Sequence, residues 1–309
     1  MIELLNALPG AIAQGLIWGI MAIGLYITYK ILDFADLSVD GSITTGACVC
    51  AVMLNGGVNV WLCLLVAFLS GAIAGLVTSV LHTLMGIQPI LSGILTQLML
   101  WSVNLKILGK ANMSVSGRTL PVLITSLNNV MAIIIVGLFI AGLAMLLYYF
   151  FGTQIGCTIR ATGNNEQMVK AQGVNVKINK AIALMLSNAV VALAGALLAQ
   201  YQGFADINMG RGAIVIGLAA IIIGQTLISF IGRNFALKLC GCALGGVCYY
   251  LIYQFVIWMG MDTDLLKLLS AVVVAIFLAI PYIKKEYFTR PHKELLSKQD
   301  LEKGGEKSA

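Results

Sequence analysis

Nine long apolar runs, most of them near the length needed to cross a membrane, constrain this chain more than any other feature. A helix of about 20 apolar residues spans the roughly 30 Å of hydrocarbon in a bilayer. Only 10% of the residues are charged, against roughly 25% in soluble domains. The runs cover residues 9–29, 39–54, 58–85, 89–108, 130–151, 182–201, 213–231, 235–259 and 265–283. Because they lack the apolar/polar alternation of barrel strands, we expect an all-α polytopic membrane protein, a helical bundle of about nine spans (eight to ten).

The lengths of the runs indicate how the bundle departs from uniform spans. Run 39–54 is short and run 58–85 is long, so a tilted, bent or re-entrant second element is expected. The chain then divides into a membrane domain, residues 1–283, and a tail, residues 284–309. The tail mixes both charge signs and has little to bury, so we expect it to be disordered.

The distribution of basic residues predicts the orientation. If the C-terminus is inside, 14 of the 19 Lys and Arg residues lie on the cytoplasmic side and five lie outside. Cytoplasmic loops of membrane proteins carry such an excess. The expected topology therefore has the N-terminus outside, and it places the polar segment 152–181 in the cytoplasm. The first residues, "MIELLNALPGAIAQG", lack a basic region and are expected to begin the first span, not a cleaved signal peptide.

The polar segment contains "RATGNNEQMVKAQGV", which has the pattern of a short water-exposed helix. Asn164 or Asn165 can cap its N-terminus, and Gly173 supplies a stop about two turns later. Such a helix could dock on a soluble partner, or the segment could be only a solvated loop; connections between packed helices usually run about 2–8 residues. The candidate docking residues are Arg160, Asn164, Asn165, Glu166, Met168, Lys170 and Gly173.

The fourth run carries polar side chains at helical spacing. Gln97, Trp101 and Asn104 follow one another by four and three residues and share one helix face. An aromatic plate with two amides suits a solute that has a ring or alkyl group and polar ends. The alternative is an interfacial tryptophan with amides that bond neighbouring helices. Ser92 and Thr96 form a second stripe that either lines a pathway or joins helices.

Three aspartates lie in "DFADLSVDGS", which follows the first run and includes the start of the second. Ionisable groups at membrane depth cost a few kcal/mol and call for an explanation. Asp36 or Ser38 could cap the second helix, while Asp33 could face Lys30. Alternatively Asp36 and Asp40 contact a solute or gate its pathway, or the aspartates bind the driving ion of an ion-coupled carrier. Asp40 is the most deeply placed candidate.

Several function classes lack their motifs. The chain has no GxxxxGK[ST] loop to bind nucleotide phosphates, so energy must come from another subunit or an ion gradient. Two histidines, His82 and His292, occur without a catalytic motif, so we expect no enzyme activity. No cofactor or metal is expected, because the cysteines lack paired spacing. Basic residues beside membrane spans account for the net charge of +6, so we expect no nucleic-acid partner.

Two stretches resemble a known family. "GCTIRATGNNEQMVKAQGVNVKINKAIALMLSNAVVALAGALLAQYQG" resembles the cytoplasmic coupling segment and following helix of ABC-importer permeases of the branched-chain amino acid permease superfamily. "ILDFADLSVDGSITTGA" resembles a bacterial subgroup linked to the uptake of aromatic amino acids (tryptophan or tyrosine) and related solutes. The likeness extends from about residue 15 to residue 281.

The resemblance implies a set of partners. Two permease copies, expected to be identical, would pair in the lipid of the bacterial cytoplasmic membrane. Each coupling helix would sit on a cytoplasmic ATP-binding subunit, which holds the ATP and Mg²⁺, and an external solute-binding lipoprotein would deliver the solute. The expected function is therefore alternating-access import of a small organic solute, an aromatic amino acid before a branched-chain one. An ion-coupled secondary carrier is the alternative.

Overall fold

The structure is a computed structural model that describes residues 2–115, 117, 120–228 and 234–259, together with the single residues 271, 272, 275 and 279. The chain divides into two compact units, residues 1–263 and residues 264–309, and all elements described below belong to the first. Apart from the four single residues, the expected ninth run (265–283) and the tail (284–309, with His292) lie outside the described residues. The proposed domain boundary therefore stays a prediction.

The described residues form ten helices and two short strands. The helices are α1 (Ile2–Tyr26), α2 (Val39–Asn55), α3 (Val60–Thr83), α4 (Pro89–Leu108), α5 (Asn129–Gly152), α6 (Gln154–Asn164), α7 (Glu166–Ala171), α8 (Val176–Gln202), α9 (Ala213–Ile228) and α10 (Phe235–Trp258). A π-helical turn, Ile27–Ile31, extends α1. The strands β1 (Asn112–Ser114) and β2 (Phe204–Asp206) pair antiparallel, with Met113 opposite Ala205.

Each of the first eight apolar runs coincides with a helix, which confirms an all-α polytopic membrane protein. Among the described residues, six helices are long and apolar enough to cross a membrane, namely α1 with its π-helical turn, α3, α4, α5, α8 and α10. The other two, α2 and α9, are shorter apolar helices. The polar segment 152–181 interrupts this series with α6 and α7.

Helix α8 occupies the centre of the bundle and packs closely on its neighbours. A methyl group at Gly46 of α2 would meet the backbone oxygen of Ala192, and one at Gly195 would meet the backbone oxygen of Ile43. Gly71 of α3 lies equally close to the backbone of α8. Small residues at such contacts let helix backbones approach and gain dispersion energy where lipid offers no hydrophobic driving force.

The short helix α2 begins halfway along α8. Its first turn contacts Asn188, near the middle of α8, while Cys50 toward its other end contacts Gln200 near the end of α8. The non-helical segment 32–38 leads from the end of α1 to this depth. Seventeen residues therefore suffice for α2. The N–H groups of Leu32 and Phe34 in the connecting segment donate to Ile27 and Thr28 of the π-helical turn, so this non-helical backbone is satisfied within the protein.

Helices α4 and α5 are both poorly covered, yet they differ in polarity. In α4, 22% of the most apolar 18-residue stretch is buried, and its mean hydropathy is 1.3. In α5 the corresponding values are 28% and 2.9. The face of α5 is apolar enough for lipid, whereas α4 exposes a mixed surface.

Candidate translocation cleft and coupling segment

An open cleft of about 370 Å³ lies between α2, α4 and the loop that precedes α9. Its lining comprises Asp40, Gly41 and Thr44 from α2, Ile94, Gln97, Leu98, Trp101 and Asn104 from α4, and Ile207 and Arg211 from the loop. Four of the seven pathway candidates from the sequence, Asp40, Gln97, Trp101 and Asn104, thus line one cavity. We call this cavity the α4 cleft.

Asp40 organises the loop side of the α4 cleft. Its Oδ2 accepts a hydrogen bond from the backbone N–H of Gly212 at 3.0 Å, and its Oδ1 accepts one from Ile214 at 2.8 Å. Asp40 therefore caps the N-terminus of α9, where a negative charge is favourable. Gly212 has φ +84°, a left-handed conformation that glycine adopts without a steric penalty. An ionised carboxylate has about four acceptor sites, so two remain for another donor.

Asn104 brings an unpaired acceptor to the α4 cleft. The side chain is 1% exposed, and its Nδ2 lies 3.5 Å from the backbone oxygen of Gly41. Within the part of the chain that the structure describes, its Oδ1 has no hydrogen-bond partner. Leaving such a buried group unpaired costs about 1–3 kcal/mol, so the wall of the cleft carries an unsatisfied polar atom just behind its surface.

The remaining lining defines the chemistry of the α4 cleft. Trp101 is 45% exposed and offers an aromatic face beside Ile94 and Leu98. Arg211 supplies a cation, and neither Arg211 nor Asp40 belongs to an ion pair among the described residues. A carboxylate, a guanidinium and an aromatic wall can together hold a zwitterion that carries a ring.

The other three pathway candidates lie elsewhere. Thr78 Oγ1 donates to Thr96 Oγ1 at 3.0 Å and joins α3 to α4, while Ser92 donates to the backbone oxygen of Pro89 at 2.7 Å. Ser92 and Thr96 are both fully buried. Thr96 joins two helices, as one alternative expects, whereas the hydrogen bond of Ser92 stays within α4. Asp36 is the third, and it forms a separate buried cluster.

This buried cluster, which we call the Asp36 hub, joins segment 32–38 and α2 to α8. Asp36 Oδ2 accepts from Asn188 Nδ2 at 2.8 Å, and Asp36 Oδ1 accepts from the N–H of Ser38 at 2.9 Å and from its hydroxyl. Ser42 Oγ donates to Asn188 Oδ1 at 2.6 Å. All four side chains are at most 1% exposed. Since every carboxylate oxygen has a partner, the hub is a fully satisfied polar junction between helices.

The three aspartates therefore do not converge on an ion. Asp33, the only non-glycine residue with positive φ among the described residues, is exposed. Asp36 bonds to α8 and Asp40 to α9. No group of three or more His, Cys, Asp or Glu side chains gathers within the described ranges. This arrangement favours helix joining over the alternative of a driving-ion site. The expected cap of α2 is not formed, because Ser38 stands at its N-cap position without a side-chain hydrogen bond to the helix; Asp40 instead caps α9.

The polar segment folds as two helices. Asn165 accepts a hydrogen bond from the N–H of Met168 at 3.0 Å and caps α7, and Gly173 follows with φ +79°. The cap, the stop and the short helix match the sequence pattern. The preceding helix α6 was not anticipated, although Thr153, whose hydroxyl accepts from the N–H of Gly156, is an ordinary N-cap signal.

Glu166 ties α7 to the bundle. Its carboxylate binds Lys170 at 2.8 Å within α7 and Lys180 of α8 at 2.8 Å. Hydrogen bonds from both lysines lower the pKa of Glu166 to about 2. Lys180 also lies 3.4 Å from Nε2 of His82 at the end of α3, and the His82 ring contacts Phe34 edge-on, with centroids 5.0 Å apart. A continuous set of contacts therefore leads from α7 to the segment that holds the Asp36 hub.

The candidate docking residues separate into two groups. Met168 is 47% exposed, and Lys170, Asn164 and Asn165 are also exposed, so the surface of α7 is open to a partner. The guanidinium of Arg160 instead lies over aromatic rings, 4.2 Å from the centroid of Phe235. Arg160 therefore faces α10, away from α7.

Arg211 is the charged residue of the α4 cleft that the sequence did not reveal. It lies in a turn after β2, where no apolar period or motif marks it. The only available signal was an isolated cation between two apolar runs.

Comparisons with known proteins agree with this architecture. Residues 8–280 match the family described as the permease component of the branched-chain amino acid transport system. A tyrosine transport system permease protein of Clostridioides difficile (strain R20291) is 41% identical over 277 residues, which cover 89% of this chain and 91% of that protein. No solved structure matches the chain.

Less similar relatives include one uncharacterized protein and one permease. An uncharacterized protein of Rickettsia prowazekii (strain Madrid E) is 34% identical over 285 residues, covering 91% of this chain and 99% of that protein. A fructose import permease protein of Bifidobacterium longum (strain NCC 2705) is 25% identical over 262 residues, covering 78% of this chain and 68% of that protein. The chain therefore belongs to the branched-chain amino acid permease family of ABC transport systems.

Proposed function

We propose that this chain is the membrane subunit of an ATP-driven importer that moves an aromatic amino acid across the bacterial cytoplasmic membrane. The observation that carries the proposal is the α4 cleft, which combines Asp40, Arg211 and Trp101 in one cavity. The similarity to a tyrosine transport system permease protein supports the same solute class.

Each end of an aromatic amino acid has a complementary group in the α4 cleft. The ammonium group would donate to the free acceptor sites of Asp40. The carboxylate would pair with Arg211, and the ring would pack on Trp101. Because these pairings are few, binding would be weak. Weak binding suits a translocation pathway, which must release its solute, better than a high-affinity site.

A second copy of the chain would cover α4. This helix is less apolar than α5 and no better buried, so contact with lipid along its whole exposed face is unfavourable. The α4 cleft opens on that face, where Leu98 is 63% exposed. Two copies packed through α4 would therefore enclose the two clefts as one central pathway.

The exposed face of α7 would dock on a cytoplasmic ATP-binding subunit. Movement of α7 would reach Lys180 through Glu166, and then the Asp36 hub through His82 and Phe34. Helix α2 begins at this hub and carries Asp40. A shift of α2 would therefore change whether the α4 cleft opens to the outside or to the cytoplasm. An external solute-binding protein would deliver the solute at the end where the pair of strands lies, and the N-terminus would be outside.

The test compares two exposed tryptophans on different faces. Trp101 lines the α4 cleft, whereas Trp61 is 60% exposed and stacks on Phe139 of α5. The chain would be reconstituted in liposomes with its ATP-binding subunit and solute-binding protein. Trp101→Ala is expected to lower ATP-dependent tyrosine uptake about three- to tenfold, the range that one aromatic pair contributes. Trp61→Ala should leave uptake within twofold of the wild type.

Two results would contradict the proposal. Equal losses in both variants would show that Trp101 acts only as a lipid-facing anchor. Tyrosine uptake at full rate by the chain alone, driven by an ion gradient without ATP, would establish the ion-coupled carrier instead.

A further inference from the structure

A second cleft, of about 390 Å³, lies at the end of the bundle where α6 and α7 are found. It shares no lining residue with the α4 cleft. Its polar and aromatic lining includes Tyr26, Lys30, Arg160, Asn164, Phe235 and Lys238. We call it the basic cleft.

The described lining of the basic cleft carries only positive charge. Lys30, Arg160 and Lys238 line it, and none of the described lining residues is a carboxylate. Both ion pairs among the described residues belong to Glu166, which binds Lys170 and Lys180. The three cations therefore repel one another without compensation in the described structure, and an anion of suitable size would relieve that repulsion.

Arg160 is held in place at the wall of the basic cleft. Its guanidinium lies 4.2 Å from the ring centroid of Phe235 and 5.4 Å from that of Phe151. Stacking on aromatic faces leaves the N–H groups at the edge of the guanidinium free to donate in its plane. Planar N–H pairs of this kind bind phosphate oxygens in a bidentate manner.

The position of the basic cleft matches the boundary between membrane and water. Tyr26 ends α1, and Phe235 begins α10. The adjacent end of α5 exposes Tyr148 by 52% and Tyr149 by 72%, as expected of an aromatic belt at the headgroup level. The exposed apolar face of α5 continues from this point into the bilayer and can accommodate acyl chains.

We propose that the basic cleft binds the phosphate headgroup of an anionic phospholipid in the leaflet next to α7. Basic pockets between membrane helices bind such headgroups, and each Lys or Arg near the surface contributes about fivefold in affinity. The bound lipid would join α1, α6 and α10, and so hold the base of α6 in position. This inference concerns the lipid around the subunit and does not depend on the transported solute.

The test uses the full-length purified chain in nanodiscs that contain phosphatidylcholine with increasing phosphatidylglycerol. Native mass spectrometry of the released protein would count the phosphatidylglycerol molecules that stay bound. Lys30→Gln and Lys238→Gln should each weaken the tightest phosphatidylglycerol binding about fivefold. Lys177→Gln is the matched control, because Lys177 is an exposed lysine in the first turn of α8 that does not line the basic cleft; it should change this binding less than twofold.

Three outcomes would overturn the inference. The first is equal retention of phosphatidylglycerol and phosphatidylcholine by the wild type. The second is displacement of the bound lipid by millimolar inorganic phosphate, which would identify a free-anion site. The third is unchanged lipid binding in Lys30→Gln and Lys238→Gln with lost binding of the ATP-binding subunit, which would assign the cleft to a protein contact. None of these measurements involves transport, so they stand apart from the test of the proposed function.

Discussion

Asp36 and Asp40 lie four residues apart, and the structure gives them opposite surroundings. Asp36 is 1% exposed, and its carboxylate is satisfied by Asn188 and Ser38. Asp40 caps α9 from the edge of an open cleft, beside a tryptophan and an arginine. Both are acids at membrane depth, yet only Asp40 has acceptor capacity that faces a cavity large enough for a solute.

The comparison shows that the role of an acid at membrane depth depends on which groups its carboxylate is bonded to. The hydrogen bonds of the Asp36 hub are all made within the protein, to Ser38 and to Asn188 of α8. The hub therefore stabilises the packing of these helices. The α4 cleft leaves the Asn104 acceptor unpaired among the described residues and keeps Arg211 outside any described ion pair. A satisfied cluster stabilises one structure, whereas an unsatisfied one is suited to a ligand.

The largest expected effect comes from opening the Asp36 hub. Asn188→Leu removes the amide that binds Asp36 and the oxygen that accepts from Ser42. Buried polar groups left unpaired cost about 1–3 kcal/mol each, so we expect the free energy of unfolding to fall by about 3 kcal/mol or more. Thermal unfolding of the purified protein in detergent would show a lowered Tm.

Asn208→Leu is the matched control, since it makes the same side-chain change at an exposed position. Its Tm should stay within the range of ordinary surface substitutions. Equal Tm values for the two variants would mean that the Asp36 hub is not a stabilising junction, and the contrast with Asp40 would be lost.

A smaller effect on folding and a clear effect on transport are expected for Asp40→Asn. The amide oxygen can still accept from the N–H of Ile214, and the N–H of Gly212, which lies at an exposed position, can bond to water instead. The loss of stability should therefore stay at about 1 kcal/mol. The charge that would pair with the ammonium group of a solute is removed. Charge-assisted hydrogen bonds contribute about 1.5–3 kcal/mol, so tyrosine uptake in the reconstituted system should fall at least tenfold.

Asp206→Asn provides the control for Asp40→Asn. Asp206 lies in β2, close to the loop that lines the α4 cleft, but it is not part of the lining. Tyrosine uptake by the Asp206→Asn variant should remain near that of the wild type. If Asp40→Asn transports normally, then Asp40 is only a helix cap and the two aspartates do not differ in function.

The parts that the sequence predicted are those determined by local patterns. Apolar length predicted the first eight apolar helices, six of which are long enough to cross a membrane, because burial in lipid requires about 20 apolar residues per helix. The cap at Asn165 and the stop at Gly173 were predicted for the same reason, since each acts on its own helix. The shared face of Gln97, Trp101 and Asn104 follows from helical periodicity alone.

The parts that were missed depend on contacts between distant residues. Asp40 caps a helix that begins at Ala213, and Arg211 reaches the same cavity from a turn without any periodic pattern. The separation of Asp36 from Asp40 depends on α2 beginning at mid-depth of α8. No spacing within one helix encodes that register, so sequence patterns grouped both acids together.

Glu166, a third carboxylate, extends the comparison to an exposed site and gives the smallest expected effect. Its pKa is lowered to about 2, below the value of about 4.3 for an unfolded chain. The ion pairs therefore contribute stability above about pH 4.3, and this contribution is lost as the pH falls toward 2. Because the side chain is 38% exposed, solvent screening limits the contribution to between a few tenths and 1 kcal/mol.

The measurement is the Tm of the wild type and of Glu166→Gln between pH 6 and pH 3. The wild type should be the more stable protein at pH 6, and the difference should shrink as the solution is acidified. Lys177→Gln, which removes a cation outside the ion pairs, should give a constant offset over the same range. A difference between wild type and Glu166→Gln that grows on acidification would show that Glu166 is not held ionised by Lys170 and Lys180. The polar segment would then be tied to α8 through α6 instead, by the hydrogen bond that Asn179 donates to Thr162.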